Sequence, residues 1–222
     1  RQAGLVFPCT CTRSDLERAT SAPHAEHEGP AYPGTCSARS AQDAEFLTGF
    51  AWRFRLPPRI VPFTDGFCGT VQVDLHRVGG DFVIWKNTDA PAYQLAVAVD
   101  DAAMGITQVV RGDDLVPSTP RQLLLYEALH LEEPSFFHVP LVVGTDGRRL
   151  AKRHGDTRLS SLREAGVTAE RVVGLLAWSC GWSEPNREWS ARDLLKRFEM
   201  DSIPREPFVL GPEHLRAIGY PA

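Results

Sequence analysis

The chain has 222 residues, 43% of them apolar and 23% charged, with a formal net charge of −4 at pH 7. These values exclude a disordered, fibrous or strongly cationic chain, so any contact with nucleic acid has to come from local basic patches. No apolar run is long enough for a membrane-spanning helix, and the opening Arg1-Gln2-Ala3-Gly4-Leu5-Val6-Phe7, which lacks Met, has no long apolar stretch of a signal peptide.

A cysteine cluster comes first along the chain. Cys9, Cys11 and Cys36 fall in one short stretch, while Cys68 and Cys180 stand apart. An odd count without a secretory signal argues against a disulfide framework, and a clustered trio argues for a metal; both predict a cytoplasmic protein. Zinc takes four ligands in a tetrahedron, and cysteine-rich sets mark structural sites. Three thiolates leave one position, for which His24, His27 and Tyr32 compete; histidine is the better generic ligand. Residues 20 to 36, rich in Ala, Pro, His, Gly and Ser, read as a loop. A metal here would fix a small unit that cannot build its own core.

Residues 40 to 58 begin with a short amphipathic piece and continue into the strand-like Ala51-Trp52-Arg53-Phe54-Arg55-Leu56, closed by Pro57-Pro58. Residues 69 to 86 alternate on both sides of Gly79-Gly80, which predicts a β-hairpin with a glycine turn. From Tyr93 to Met104 a helix is expected, with Gly105 as its stop. Ile106 to Val110 is a short apolar strand. A helix then starts with Thr119 as N-cap, Pro120 at its first position and Gln122 behind. Val139 to Val143 is a second buried strand. Helix, strand, helix, strand with short links predicts part of a doubly wound α/β sheet. From Leu159 onward the pattern is helical. One helix has Thr168 as its start and Gly181 as its stop, and a capping box of Ser190 with Asp193 starts another.

The run Gly144-Thr145-Asp146-Gly147-Arg148-Arg149-Leu150-Ala151-Lys152-Arg153-His154-Gly155 follows a predicted strand end. Ligands bind beyond the carboxyl ends of strands in open α/β sheets. Glycine allows close backbone approach, and Lys and Arg neutralise phosphate charge.

Arg149-Leu150-Ala151-Lys152-Arg153-His154-Gly155 resembles the KMSKS signature of the glutamyl and glutaminyl branch of class I tRNA synthetases. Tyr93-Gln94-Leu95-Ala96, Val99-Asp100-Asp101, Gly105-Ile106-Thr107, Val110-Arg111-Gly112-Asp113-Asp114-Leu115 and Ser118-Thr119-Pro120-Arg121-Gln122 resemble the same branch's substrate-pocket segment, in the same order. Cys9-x-Cys11 with Tyr32-Pro33-Gly34-Thr35-Cys36 is similar to the zinc site of the glutamyl-Q tRNA(Asp) synthetase family, in which the tyrosine is a ligand. The stretch between Cys11 and Tyr32 is longer than that family leads one to expect, which keeps His24 and His27 in competition. Ala151 departs from the signature by removing a hydroxyl. No HIGH-like histidine pair occurs among the seven histidines, and the expectation is a chain that lacks the first several dozen residues of the family pattern.

The resemblance implies an α/β fold: a partial Rossmann-type class I synthetase catalytic domain with a zinc-containing, β-rich insertion and a C-terminal helical subdomain. Its expected boundaries are 1–90 for the acceptor-binding-type insertion, 91–148 for the second half of the Rossmann-type fold, and 149–222 for the KMSKS-like loop and helical subdomain. It implies an ATP-dependent ligase that activates glutamate to glutamyl-adenylate and passes it to the queuosine base of tRNA(Asp). Tyr93 and Arg111 would bind glutamate, Lys152 would bind ATP, and Cys9, Cys11, Tyr32 and Cys36 would hold one structural Zn²⁺, with Mg²⁺ accompanying ATP. No residue is assigned as a general base, because a carboxylate is already a nucleophile. A monomer is expected, with no membrane association. Two other readings carry distinct expectations: a piece of an ordinary glutamyl-tRNA synthetase charging a tRNA 3′ end, and a non-catalytic RNA-binding module on the same scaffold. For RNA contact, Arg187, Arg192, Lys196 and Arg197 are the late basic residues, although a solvated helix face explains them as well.

Overall fold

Side chains of a strand alternate between its two faces, and in the first strand that alternation separates two clusters. A computed structural model describes residues 1–19, 31–150 and 158–221. His24, His27, Ala151 and Lys152 lie outside the described residues. Contacts divide the chain into two units, Arg1–His138 and Val139–Ala222.

The first unit runs β1 (Val6–Cys9), α1 (Arg13–Ala19), a 3₁₀ turn (Ala41–Phe46), β2 (Ala51–Phe54), β3 (Phe63–Asp65), β4 (Gly69–Val71), β5 (Phe82–Trp85), α2 (Tyr93–Ala103), β6 (Gln108–Gly112), a second 3₁₀ turn (Asp113–Leu115), α3 (Ser118–Leu129) and β7 (Ser135–Val139). Strands β1, β2 and β5 form an antiparallel sheet in that order. Val6 pairs with Phe54, and Phe7 with Arg53. Val6, Trp52, Phe54 and Phe82 pack into the main core with Ala98 of α2, Leu123 to Tyr126 of α3, and Phe136. Phe7 and Cys9, one position out of phase, pack instead with Tyr32 and Cys36. The sheet therefore has a core face and a cysteine face.

Helix α2 begins at Tyr93 as expected, and Gly105 follows its end in the left-handed region at φ +67°. Helix α3 starts at Ser118 with Pro117 in the capping position, so Thr119 lies inside the helix and not at its N-cap. Every residue from Ser118 to Tyr126 is buried. Arg121, 3% exposed, makes this possible by donating to the carbonyls of Pro117, at 3.1 Å, and Val78. A buried cation is tolerated only with such partners.

The hairpin expected across Gly79-Gly80 does not form. β4 pairs with β3, and β5 pairs with β2. The segment between them turns, and the Gly79 carbonyl accepts the Tyr32 N–H at 2.9 Å. Alternation was present on both sides, but it did not specify the partner: β4 joined β3, and β5 joined the buried β2. The strand expected at Ile106 to Val110 lies two residues later, as β6. It pairs with β7 in a two-stranded sheet among the described residues, so the extended doubly wound sheet is not seen there. Pro140 interrupts the single strand expected over Val139 to Val143.

The second unit contains β8 (Val142–Val143), α4 (Leu159–Glu164), α5 (Ala169–Ser179), α6 (Ala191–Leu194), two 3₁₀ turns (Leu195–Arg197 and Met200–Ser202), β9 (Phe208–Val209) and α7 (Pro212–Ala217). Leu162, Val167, Leu215 and Ile218 form its core. The Thr168 side chain accepts the Arg171 N–H, and that of Ser190 accepts the Asp193 N–H, so both expected caps are made. One departure from an all-helical tail is β9, which pairs in parallel with β8. Beyond β8, the chain turns through Gly144 to Arg148, where the Gly144 N–H donates to the Arg148 carbonyl at 2.8 Å.

Candidate functional site

The cysteine face brings together three of the residues singled out by spacing, and Tyr32 with them. The Sγ atoms of Cys9, Cys11 and Cys36 lie within 4.8 Å of one another. Cys11 Sγ is 3.7 Å from Cys36 Sγ, and the Tyr32 hydroxyl is 3.9 Å from Cys9 Sγ. A tetrahedral zinc with bonds of about 2.3 Å to sulfur separates its sulfurs by about 3.8 Å. The donor set fits such an ion. The Tyr32 oxygen also accepts the Cys36 N–H at 2.6 Å, and the Arg53 guanidinium stacks 4.0 Å over the Tyr32 ring. Burial, a Cys36 side-chain contact and the nearness of Cys9 push the Cys11 thiol up to about 12. Burial also pushes the Tyr32 phenol upward. Cys11 and Tyr32 therefore resist ionising without a cation, whereas at Cys36, against the effect of burial, contacts with Thr10 and Cys11 hold the thiol below its ordinary value; a divalent cation is what would hold the set deprotonated.

A second site gathers around Arg111 on β6. Its Nε–H donates to His138 Nε2 at 2.9 Å, and NH2 donates to the Thr119 hydroxyl at 2.8 Å. His138 Nδ1 is 2.6 Å from Asp65 Oδ2. Asp65 Oδ1 accepts three backbone N–H groups, from Phe67, Cys68 and His138, at 2.8 to 3.1 Å. Asp65, Thr119 and His138 are at most 2% exposed. Gly66 allows this closure: a Cβ there would sit 2.0 Å from the Phe137 ring, and the Gly66 N–H donates to Phe136 at 2.8 Å.

The protonation pattern follows from donors and acceptors. An arginine Nε can only donate, so His138 Nε2 accepts and the proton sits on Nδ1, facing Asp65. Burial, with Arg111 nearby, keeps His138 below the ordinary histidine range although Asp65 pulls the other way. Burial favours the neutral acid at Asp65, yet the backbone N–H of Cys68 and the imidazole of His138 hold it below the usual carboxylate range. Arg111 is lowered by burial and supported in its charge by Tyr93, Asp101, Tyr126 and Asp65. Tyr93, half exposed, opens α2 on the same side, and α2 is tied to α3 by a Gln94 to Ser118 hydrogen bond of 3.0 Å.

The structure thus sets Tyr93 near Arg111, and Cys9, Cys11 and Cys36 near Tyr32. Sequence reasoning missed Asp65, Thr119 as a side-chain partner, and His138. A signal for His138 existed: it alternates with Phe136 along an apolar strand, which points it inward.

The chain thus carries a partly buried cation on β6 and a thiol cluster on the face of the three-stranded sheet opposite its core. The family model for class I tRNA synthetases (E and Q), catalytic domain, matches residues 2–206. The chain belongs to this family. Within it, a relative named Glutamyl-Q tRNA(Asp) synthetase from Symbiobacterium thermophilum is 44% identical over 221 residues, covering 97% of this chain and 68% of the relative. One of the same name from Rhodopirellula baltica is 44% identical over 228 residues, covering 94% and 69%. A relative named Glutamate--tRNA ligase from Geobacter sulfurreducens is 37% identical over 214 residues, covering 96% and 45%. Both names are those of ligases. A solved glutamate tRNA ligase from Elizabethkingia meningosepticum superposes with a TM-score of 0.72 at 24% identity, over 96% of this chain and 49% of that one; it shows the fold. The chain spans about half the length of that protein.

Proposed function

We propose that the protein containing this chain activates glutamate with ATP and transfers it to the queuosine base of tRNA(Asp). The observation that carries the reading is Arg111. It is a partly desolvated guanidinium with one edge held by Thr119 and His138, and Tyr93 is among the groups that support its charge. The other edge of such a fork matches a carboxylate in two-pronged fashion. The glutamate carboxylate attacks the α-phosphate of ATP, forming a mixed anhydride and releasing pyrophosphate. A queuosine hydroxyl then attacks the acyl carbon, forming an ester and releasing AMP. Lys152 would meet the phosphates, with Mg²⁺ accompanying ATP. Residues 1–90, 91–148 and 149–222 serve as acceptor-binding-type insertion, catalytic half and KMSKS-like helical part. Cys9, Cys11, Tyr32 and Cys36 would hold a structural Zn²⁺, which supplies no chemistry beyond fixing the loops that carry them.

The acceptor choice is supported by the relatives named Glutamyl-Q tRNA(Asp) synthetase, at 40 to 44% identity, against 33 to 38% for those named Glutamate--tRNA ligase. The test is glutamate-dependent ATP–pyrophosphate exchange by the full-length gene product, followed by transfer of labelled glutamate to tRNA. Labelling of queuosine-containing tRNA(Asp), abolished by prior periodate treatment, is the expected result. Charging of tRNA(Glu) at its 3′ end would establish the ordinary ligase reading, and no exchange would favour the non-catalytic one.

A further inference from the structure

Arg111 is only as specific as its orientation. A guanidinium has a side-on fork, Nε with NH2, and an end-on fork, NH1 with NH2. Here the side-on fork is engaged: His138 Nε2 and Thr119 Oγ1 lie 3.1 Å apart, side by side, and take one N–H each. Engagement by His138 requires the imidazole in one tautomer. That tautomer is set one residue further away, by Asp65.

We propose that Asp65, His138 and Thr119 are positioning residues that hold the side-on edge of Arg111 and thereby aim its end-on edge at the glutamate carboxylate. The inference rests on the reading of Arg111 as the glutamate-binding cation. Asp65 is placed for this role by its own bonds. With Oδ1 occupied by three backbone N–H groups, only Oδ2 faces the imidazole. The ring is also fixed sideways, stacked on Phe136 at 6.2 Å between centroids, and the Arg111 guanidinium lies 5.2 Å from the Phe136 ring. A held rotamer and a held tautomer leave the guanidinium plane little freedom.

The isosteric change Asp65→Asn tests the chain of control. The asparagine oxygen has to stay with the three backbone N–H groups, so its NH₂ meets His138 Nδ1. Nδ1 then has to accept, the proton moves to Nε2, and an N–H faces the Arg111 Nε–H. Donor against donor breaks the clamp without removing an atom from Arg111.

The measurements use the full-length protein. Nitrogen-15 NMR of labelled histidine reports the tautomer, and pyrophosphate exchange reports KM for glutamate and for ATP. The expected result is an Nδ1–H ring at His138 in the parent and an Nε2–H ring in Asp65→Asn, with the glutamate KM raised roughly tenfold or more and the ATP KM unmoved. Thr119→Val raises the glutamate KM in the same way, and Thr119→Ser, which keeps the oxygen, recovers most of the loss. An Nε2–H ring in the parent, or a switched tautomer with an unchanged glutamate KM, overturns the proposal. If Asp65→Asn does not fold, equal glutamate KM values for Thr119→Val and Thr119→Ser overturn it. Arg111→Lys separates the two levels. An unchanged glutamate KM there sinks the glutamate reading itself, whereas a raised one with silent Asp65 and Thr119 variants sinks only the positioning role.

Discussion

Arg111 is a cation kept charged in a partly desolvated place, and that is costly unless its hydrogens are matched. Thr119 and His138 match one edge. A lysine at this position cannot serve them and a carboxylate at once, since its ammonium lacks the planar fork. Arg111→Lys is therefore expected to raise the glutamate KM by roughly ten- to hundredfold, the span of one charged hydrogen bond. Calorimetric titration of glutamate checks this independently of turnover. Thr119 shows how a residue-level rule is overridden. Thr before Pro is a sound helix-start pattern, but α3 begins two residues earlier, with Pro117 as its cap. The hydroxyl freed from capping serves Arg111 instead, at 2.8 Å, because a partly buried guanidinium needs its hydrogens matched.

At the scale of elements, close approach decides two places. On the cysteine face, β1 carries Phe7 and Cys9 toward Tyr32 and Cys36. Cys9→Ser combined with Cys11→Ser is expected to lose zinc and to destabilise the loops of residues 1 to 50 first. Elemental analysis and hydrogen exchange check this, and a parent protein without zinc would remove the metal assignment. In the second unit, Gly174 of α5 faces the backbone of residue 187. A Cβ there would lie 1.9 Å from the Arg187 carbonyl oxygen. Alanine in a helix gains about 1 kcal/mol over glycine, whereas forced overpacking costs about 1–3 kcal/mol. The backbone contact cannot swing aside like a side chain, so the loss should win. Gly174→Ala is expected to lower the urea midpoint of the second unit, and a raised midpoint would reject the argument. The capping patterns at Thr168 and Ser190 were legible because they are local. The Gly79-Gly80 hairpin was not, because strand pairing is settled by which partner buries each face, and alternation alone does not name the partner.

For the molecule as a whole, the Asp65–His138 pair links stability to pH. Burial depresses His138 in the folded state, so the neutral ring is favoured there. Its contribution is fully present above the unfolded value of about 6.5 and is lost as pH falls through the folded one. Asp65, also depressed, adds a contribution present above about 3.9 and lost below it. Asp113, raised by burial and by Asp114, works in the opposite direction in the carboxylate range. Arg111 stays cationic throughout. The diagnostic window is therefore the histidine one: the urea midpoint should fall as pH drops below about 6.5. A flat midpoint there would contradict the neutral, Asp65-bound ring.

The sequence by itself determined the family, the order of the segments that carry Tyr93 and Arg111, the cysteine spacing, and the helices with local start and stop signals. Each is written in neighbouring residues, where backbone preference and ligand chemistry act over a few positions. Only the tertiary structure decided that Tyr32 stands beside the three thiols, that β3 and β5 take the partners they do, and that Asp65, Thr119 and His138 meet Arg111. Those residues are separated by up to 73 positions in the Asp65–His138 pair. Their meeting depends on buried polar groups finding partners in three dimensions, a condition that no local pattern encodes.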